Sequence, residues 1–511
     1  MTGRAPLAFD WRRDFSSTRL DFPGKRANII DQTLDVPWNR LTRDLQRATP
    51  LLAVVLLVFI ATRLWLLMAF EARGRDSEYY ALIARQGVDL QQVAFRDVEV
   101  EYPPVAWWLI AMPRLVDSKT YAEPAPTPER VRQFFDWYFN WFHAEMCFAD
   151  VVCLGLTFLI GRRISSTAQW GLPAAYTLLV IAQPHLAYDR LDIGLLMFFL
   201  LFIECWLSSD FGGLSRAASL VEPRPLENSS AVDRSAVANR WATASYLFLG
   251  LGISFKIMPV IFVPFLLLAD WWAAGSGWRF AGRFLALTVG VAGPFLVHLL
   301  SAGWGVFALF QYHGQRGIHL ESIWGSLMLA LRPFGLACHV VKEYGGFNME
   351  SDWSAGLKIV SSAALLTMAA SFGLWALLRG RRFDQRLALD TAMLVLINST
   401  VLAHVFSPQY LNWLLPLATL LALNIFPRSR ALWCGFAALS LAIVGISSWI
   451  FPSHCVGKLT VLETGPVVLS VARSACLAGL ALLLNVCFFA KYGLNPWRVG
   501  KEAPSAPAAA T

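Results

Sequence analysis

Apolar runs recur along this chain, many of them close to the length that crosses a bilayer as a helix, about twenty residues. They occupy 51–70, 137–160, 172–187, 193–207, 242–255, 258–272, 284–300, 355–378, 387–403, 411–425, 431–450 and 466–490. A soluble domain cannot hide so much hydrocarbon. The chain is 56% hydrophobic over 511 residues, with 21 Trp and 35 Phe. The pattern predicts an all-α polytopic membrane protein of about twelve transmembrane helices. Only 15% of residues are charged, so a charge away from an arginine-rich helix end needs a reason. The net charge of +8 does not imply nucleic acid, because much of the Lys and Arg excess sits at helix ends. Most of the eight Cys fall within apolar runs, where they pack as small hydrophobes.

Charge sets the expected topology. Four short connections (161–169, 273–283, 379–386 and 427–430) hold ten Arg in 32 residues. Three long segments on the other side (71–136, 301–354 and 451–465) hold twelve Lys and Arg in 135. By the positive-inside rule the first set is cytoplasmic and the second faces out. Twelve spans then leave both ends inside. Residues 1–49, with nine Lys and Arg, read as a cytoplasmic tail. Residues 491–511 read as a second tail, and 208–240 as a cytoplasmic loop. Between the tails, 50–490 form one transmembrane domain. In the first outer loop, 77–87 and 104–115 are expected as amphipathic helices at the interface, where Trp107 and Trp108 suit the depth. The piece 323–331 is interfacial or re-entrant.

Ionisable groups near a bilayer are costly and usually pair or mark function. On this topology the unusual polar residues collect on the outer side: Asp76, Glu78, Glu101, Asp189, Arg190, Asp192, Lys256, His313, Arg316, His319, Glu321, His404 and Gln409. Asp76 follows the first span. There it can take a proton from a hydroxyl as a general base, or it can simply cap the next helix. Asp76-Ser77-Glu78 offers oxygen ligands to a divalent ion, but two acids do not make a coordination set, so no metal ligand is assigned and metal dependence stays open. Glu101-Tyr102-Pro103-Pro104 reads as a rigid entry into a helix. Asp189-Arg190-Leu191-Asp192 is either a self-neutralising turn or a second acidic set for sugar hydroxyls.

Lys256 sits at a break between two short apolar helices, so it either snorkels or meets an anion. Tyr312-His313-Gly314-Gln315-Arg316 places an arginine fork and a histidine at the surface, with Glu321 nearby. Arg binds phosphate through two parallel hydrogen bonds, and lipid headgroups are the plainer partner. Gln409 and Tyr410 either line an acceptor pocket or belong to the aromatic belt.

These motifs in order resemble the integral-membrane glycosyltransferases of the GT-C fold. They are an outer Asp with following tyrosines, EYPP, an acidic turn, a Gly-rich segment with Lys and Pro, YHxxRGxxxES and SPQYxxW. The nearest branch in pattern is family 87, which holds polyprenyl-phosphate-mannose-dependent α-mannosyltransferases. The resemblance covers roughly 50–490. It implies a GT-C-like bundle, with Asp76 as the base that deprotonates the acceptor hydroxyl. It places His313 and Arg316, and with them Lys256, at the donor phosphate. Glu78, Tyr80, Asp189, Asp192, Glu321, Gln409 and Tyr410 remain as substrate-binding candidates. The donor implied is a polyprenyl-phosphate sugar, with mannose favoured, and transfer inverts the anomeric centre in one displacement. A glycolipid, polysaccharide or protein would accept the sugar at the outer face of the cytoplasmic membrane. The competing class is a polytopic transporter or lipid flippase, which would place its ionisable groups near the midplane.

Overall fold

The computed structural model describes residues 38–69, 75–116, 127–165, 167–183, 186–209, 231–273, 277–426, 429–451 and 455–494. Most of both expected tails, the Pro-rich stretch 122–126 and most of the loop 208–240 lie outside these. The chain divides into two units, Met1–Leu56 and Leu57–Thr511.

The apolar runs became helices. In order these are α1 (Trp38–Ala69), α2 (Arg75–Ala84), α3 (Pro104–Val116), α4 (Pro128–Ile164), α5 (Ala168–Ile181), α6 (Asp192–Ser209), α7 (Ala231–Phe255) and α8 (Val263–Ala273). They continue as α9 (Gly277–Ala302), α10 (Ala308–Gln315), α11 (Ile323–Leu331), α12 (Ser354–Arg379), α13 (Gln385–Leu402), α14 (Leu411–Ile425), α15 (Arg430–Ile450) and α16 (Thr464–Tyr492). The fold is therefore all-α and polytopic. Among the described residues six helices are long and apolar enough to cross a membrane, α4, α6, α9, α12, α15 and α16, with α9 counted through to Gln315. Shorter apolar helices stand beside them, including α3 and α5.

Burial sorts the helices. From Leu387 to Val401 every residue of α13 is buried, and α14 is enclosed almost as completely. These two and α6 form the centre, which explains why their sequences show no polar face. On α9 and α12, by contrast, large apolar side chains such as Leu285, Leu300, Ile359 and Leu366 stay exposed, as a lipid-facing surface requires. Helices α7 and α9 meet at glycines. A Cβ on Gly290 would stand 2.7 Å from the Leu247 carbonyl oxygen and 2.9 Å from the Gly250 Cα. Small residues let two backbones approach where lipid offers no hydrophobic drive.

Contacts join like ends. At the arginine-rich end Arg163 meets Glu204 at 2.7 Å, Arg283 meets Asp270 at 2.8 Å, and Tyr492 donates to Asp390 at 2.6 Å. The opposite end carries α2, α3, α11 and a three-stranded antiparallel sheet of order β1-β3-β2, from β1 (Ile318–His319), β2 (His339–Glu343) and β3 (Gly346–Glu350). The sheet was not legible in 301–354, where only the apolar piece 323–331 stood out. Its hairpin turns through Tyr344 (φ 48) and Gly345 (φ 69), the paired left-handed conformations of a two-residue turn. Ile318, Leu320, Met328, Leu329 and Met349 pack with Ile450 and Leu459 in a small core that fixes this cap to α15 and the segment after it.

The first interfacial region is tied down by charge. Arg114 of α3 grips Asp89 through two bonds of 3.0 and 2.7 Å, with both side chains almost fully buried, and its guanidinium lies 4.9 Å from the centre of the Trp137 ring. Arg114 falls on the buried side of a helix that is apolar on its exposed side too, at Trp108, Met112 and Leu115.

Candidate active site

Asp76 lies in the first turn of α2, where a carboxylate is favoured by the positive end of the helix. It is not free. Its side chain is ion-paired with Arg190, in the tight turn between α5 and α6. The neighbouring Ser77 hydroxyl reaches Asp189 at 3.5 Å, and His143 Nε2 stands 3.1 Å from the same carboxylate oxygen. Tyr80 and Tyr102 share a 3.0 Å hydrogen bond, and their burial raises both phenols above the ordinary tyrosine range. Glu78 is exposed on α2.

The break between α7 and the following 3-10 turn holds Lys256 where an anion can reach it. Its Nζ is 2.8 Å from Asp192 Oδ1, which also accepts from Trp413 Nε1 at 2.9 Å. The same ammonium lies 4.8 Å from the centre of the Tyr410 ring, close enough for a cation–π attraction. Lys256 therefore meets Asp192 instead of snorkelling.

Arg316, just after α10, faces Glu101 at 3.3 Å and stacks 5.1 Å from the Tyr312 ring centre. His313 Nε2 approaches the Glu101 carbonyl oxygen at 3.2 Å. Lys358, from the start of α12, donates to the carbonyl oxygens of Gly314 and Arg316 at 2.9 and 2.8 Å and so fixes this loop. Glu321 is held by Arg473 of α16, through a 3.3 Å contact to the carboxylate and a 2.6 Å bond to its carbonyl.

These pairs form one neighbourhood. Arg190 lies within electrostatic reach of Asp192 and Glu321, and the Tyr410 phenol stands near both Arg190 and Arg316. Tyr410 thus links the half built around Asp76 with the half built around Arg316. Burial pulls the Arg190 guanidinium down to about 10, still charged at neutral pH. Burial pushes the Glu101 and Glu321 carboxyls up, while Arg316 and Arg473 pull them back. Burial, reinforced by Arg316, drops His319 to about 4. Its imidazole is neutral at physiological pH, so the positive charge here is carried by Arg and Lys.

The same region holds buried polar atoms with no protein partner: Arg316 Nε, His319 Nε2, both ring nitrogens of His404, and Gln409 Oε1. Such atoms cost about 1–3 kcal/mol each unless something satisfies them. A ligand bearing hydroxyls and an anionic oxygen has the needed acceptors and donors. Among the described residues no group of three or more His, Cys, Asp or Glu converges as a metal-binding set.

Ten of the eleven candidate residues belong to this neighbourhood or touch its members, and Glu78 stands apart in solvent. Sequence reading assigned no partner to Asp76 and missed four contributors: Arg190 as that partner, Arg473, Tyr312 and Lys358. Glu101 was read as part of a rigid turn, yet its carboxylate is the partner of Arg316. Arg473 had a signal, since an arginine inside an apolar run demands a buried acid.

No family model matches the chain, and no curated protein matches it either. Among solved structures, the crystal structure of ArnT from Cupriavidus metallidurans bound to undecaprenyl phosphate is similar at 15% identity. That similarity covers 88% of this chain and 78% of ArnT, with a TM-score of 0.42.

Proposed function

We propose that this chain is a membrane glycosyltransferase. It moves a hexose, with mannose favoured, from a polyprenyl-phosphate sugar to an acceptor hydroxyl at the outer face of the cytoplasmic membrane. The observation that carries this reading is the gathering of Asp76, Asp192, Lys256, Arg316 and Glu321 at one end of an apolar helical bundle, beside buried polar atoms that lack partners. A transporter needs such groups near the midplane. A lipid-linked donor needs them at the end of the bundle, with hydrocarbon-facing helices below for its tail.

The chemistry follows from the charges. Asp76 takes the proton of the acceptor hydroxyl, and the oxygen forms a bond to the anomeric carbon. The bond from that carbon to the phosphate oxygen breaks, and its electron pair leaves with the polyprenyl phosphate. Arg316 stabilises the charge that develops there, and His313, whose one N–H goes to the Glu101 carbonyl oxygen, holds the loop beside it. Lys256 is committed to Asp192 in this structure, so it helps fix the floor of the donor site. Tyr410, Gln409, Glu321 and Asp189 border the sugar and the acceptor. A single displacement inverts the anomeric centre.

The test is a panel of polyprenyl-phosphate sugars, incubated in proteoliposomes with the purified protein. The reading expects release of the carrier from one of them, with the polyprenyl-phosphate-mannose arm fastest. Failure of every sugar to turn over, or transport of the lipid without cleavage, would remove it.

A further inference from the structure

The ion pair between Asp76 and Arg190 sits badly with a carboxylate that must accept a proton. A guanidinium against a carboxylate stabilises its charged form and weakens it as a base. Four cations at this end, Arg190, Lys256, Arg316 and Arg473, each face a carboxylate. No phosphate can bind any of them without displacing or sharing with an acid.

The four pairs are not equally easy to open. Asp192 is held by Lys256 and by Trp413. Arg473 is fully enclosed and grips Glu321 through both carboxylate and backbone. Glu101 has Arg316 and the Tyr312 hydroxyl. Asp76 has the most exposed side chain of the eight, at 28%, and Arg190 at 17% is the most exposed of the cations. Arg190 also has Asp192 and Glu321 within electrostatic reach, so it stays charged when Asp76 lets go.

We infer that Arg190 masks Asp76 in the unliganded protein and is drawn onto the donor phosphate when the lipid binds, which frees the base. The inference rests on the glycosyltransferase reading above. No covalent bond changes in the exchange: Arg190 trades a carboxylate for a phosphate oxyanion, and the displacement follows. Arg190 thus has two partners in turn, the Asp76 carboxylate and the donor phosphate. The acceptor hydroxyl meets a competent base only when the donor is present, which orders the reaction and guards against pointless proton transfer.

The exchange makes a prediction of sign. Undecaprenyl phosphate is titrated against wild type, Asp76→Asn, Arg190→Gln and the double variant in nanodiscs, with folding checked by thermal melting. Removing the competitor should make Asp76→Asn bind about tenfold tighter, and Arg190→Gln about tenfold weaker, each close to the strength of one charge-assisted hydrogen bond. The double variant should bind like Arg190→Gln, because the gain from Asp76→Asn operates through Arg190. If Asp76→Asn fails to fold, Asp76→Ser must show the same sign. Unchanged or weaker binding by Asp76→Asn overturns the inference, as does tightening that persists without Arg190, which would be simple loss of a repelling charge. Wild type that does not bind the lipid at all removes the glycosyltransferase reading and the inference together. Binding with the wrong sign removes the inference alone.

Discussion

At the scale of single residues the site is governed by how burial and charge compete. His319 is held near 4, well below the ordinary histidine value of about 6.5. In the unfolded chain it takes up a proton at higher pH than in the folded protein. The unfolded state therefore binds more protons between about 6.5 and about 4, and stability rises with pH across that window. Acidification from pH 7 to pH 5 should lower the melting temperature of the purified protein, and His319→Gln should flatten that slope. A slope unchanged in the variant would mean that other groups carry the acid sensitivity. Residue types were readable without coordinates, since a charge beside a bilayer advertises itself. Partners were not. Arg190 stood in the outer set, yet nothing in the order of residues says that a turn between α5 and α6 aims it at α2. Glu101 and Arg316 are 215 positions apart, and only the fold brings them together.

At the scale of elements, helices were legible and their ends nearly so. The run 411–425 coincides with α14, and 323–331 with α11. Apolar runs long enough to span leave the backbone little choice, because every amide must be satisfied within its own segment. The β-hairpin escaped because its strands are five residues each and their alternation is mixed with charge. The start of α4 escaped for a different reason. Residues 128–133 are mostly polar and charged, so the apolar run begins later than the helix, which starts at the Thr127 cap. Helix α3 is tied down by a buried ion pair, Arg114 with Asp89. Breaking a buried pair from one side leaves an uncompensated charge and costs about 3–5 kcal/mol. Arg114→Ala should lower the melting temperature sharply and raise proteolysis within 85–116, while Arg130→Ala, on the exposed start of α4, should leave both near wild type. Equal behaviour of the two variants would show that α3 is held by its apolar contacts instead.

At the scale of the whole molecule, division of labour between the two ends explains the charge pattern. One end pairs Arg163 with Glu204 and Arg283 with Asp270, and Asp390 accepts from Asn424 and Tyr492, in contacts that tie helices together. The other brings Arg190, Lys256, Arg316 and Arg473 against Asp76, Asp192, Glu101 and Glu321. Helices α9 and α12 stay apolar and exposed between them, as a surface for lipid. Function on this account is a property of the site-bearing end, with Asp76 as its proton acceptor. The most direct test is a single-turnover assay in proteoliposomes with the polyprenyl-phosphate sugar that wild type cleaves, comparing wild type with Asp76→Asn. The account predicts that the variant still melts as a folded protein and still binds the donor, while transfer falls by about 10²–10⁴-fold, the usual loss of a general base. Transfer at the wild-type rate by the folded variant would contradict it.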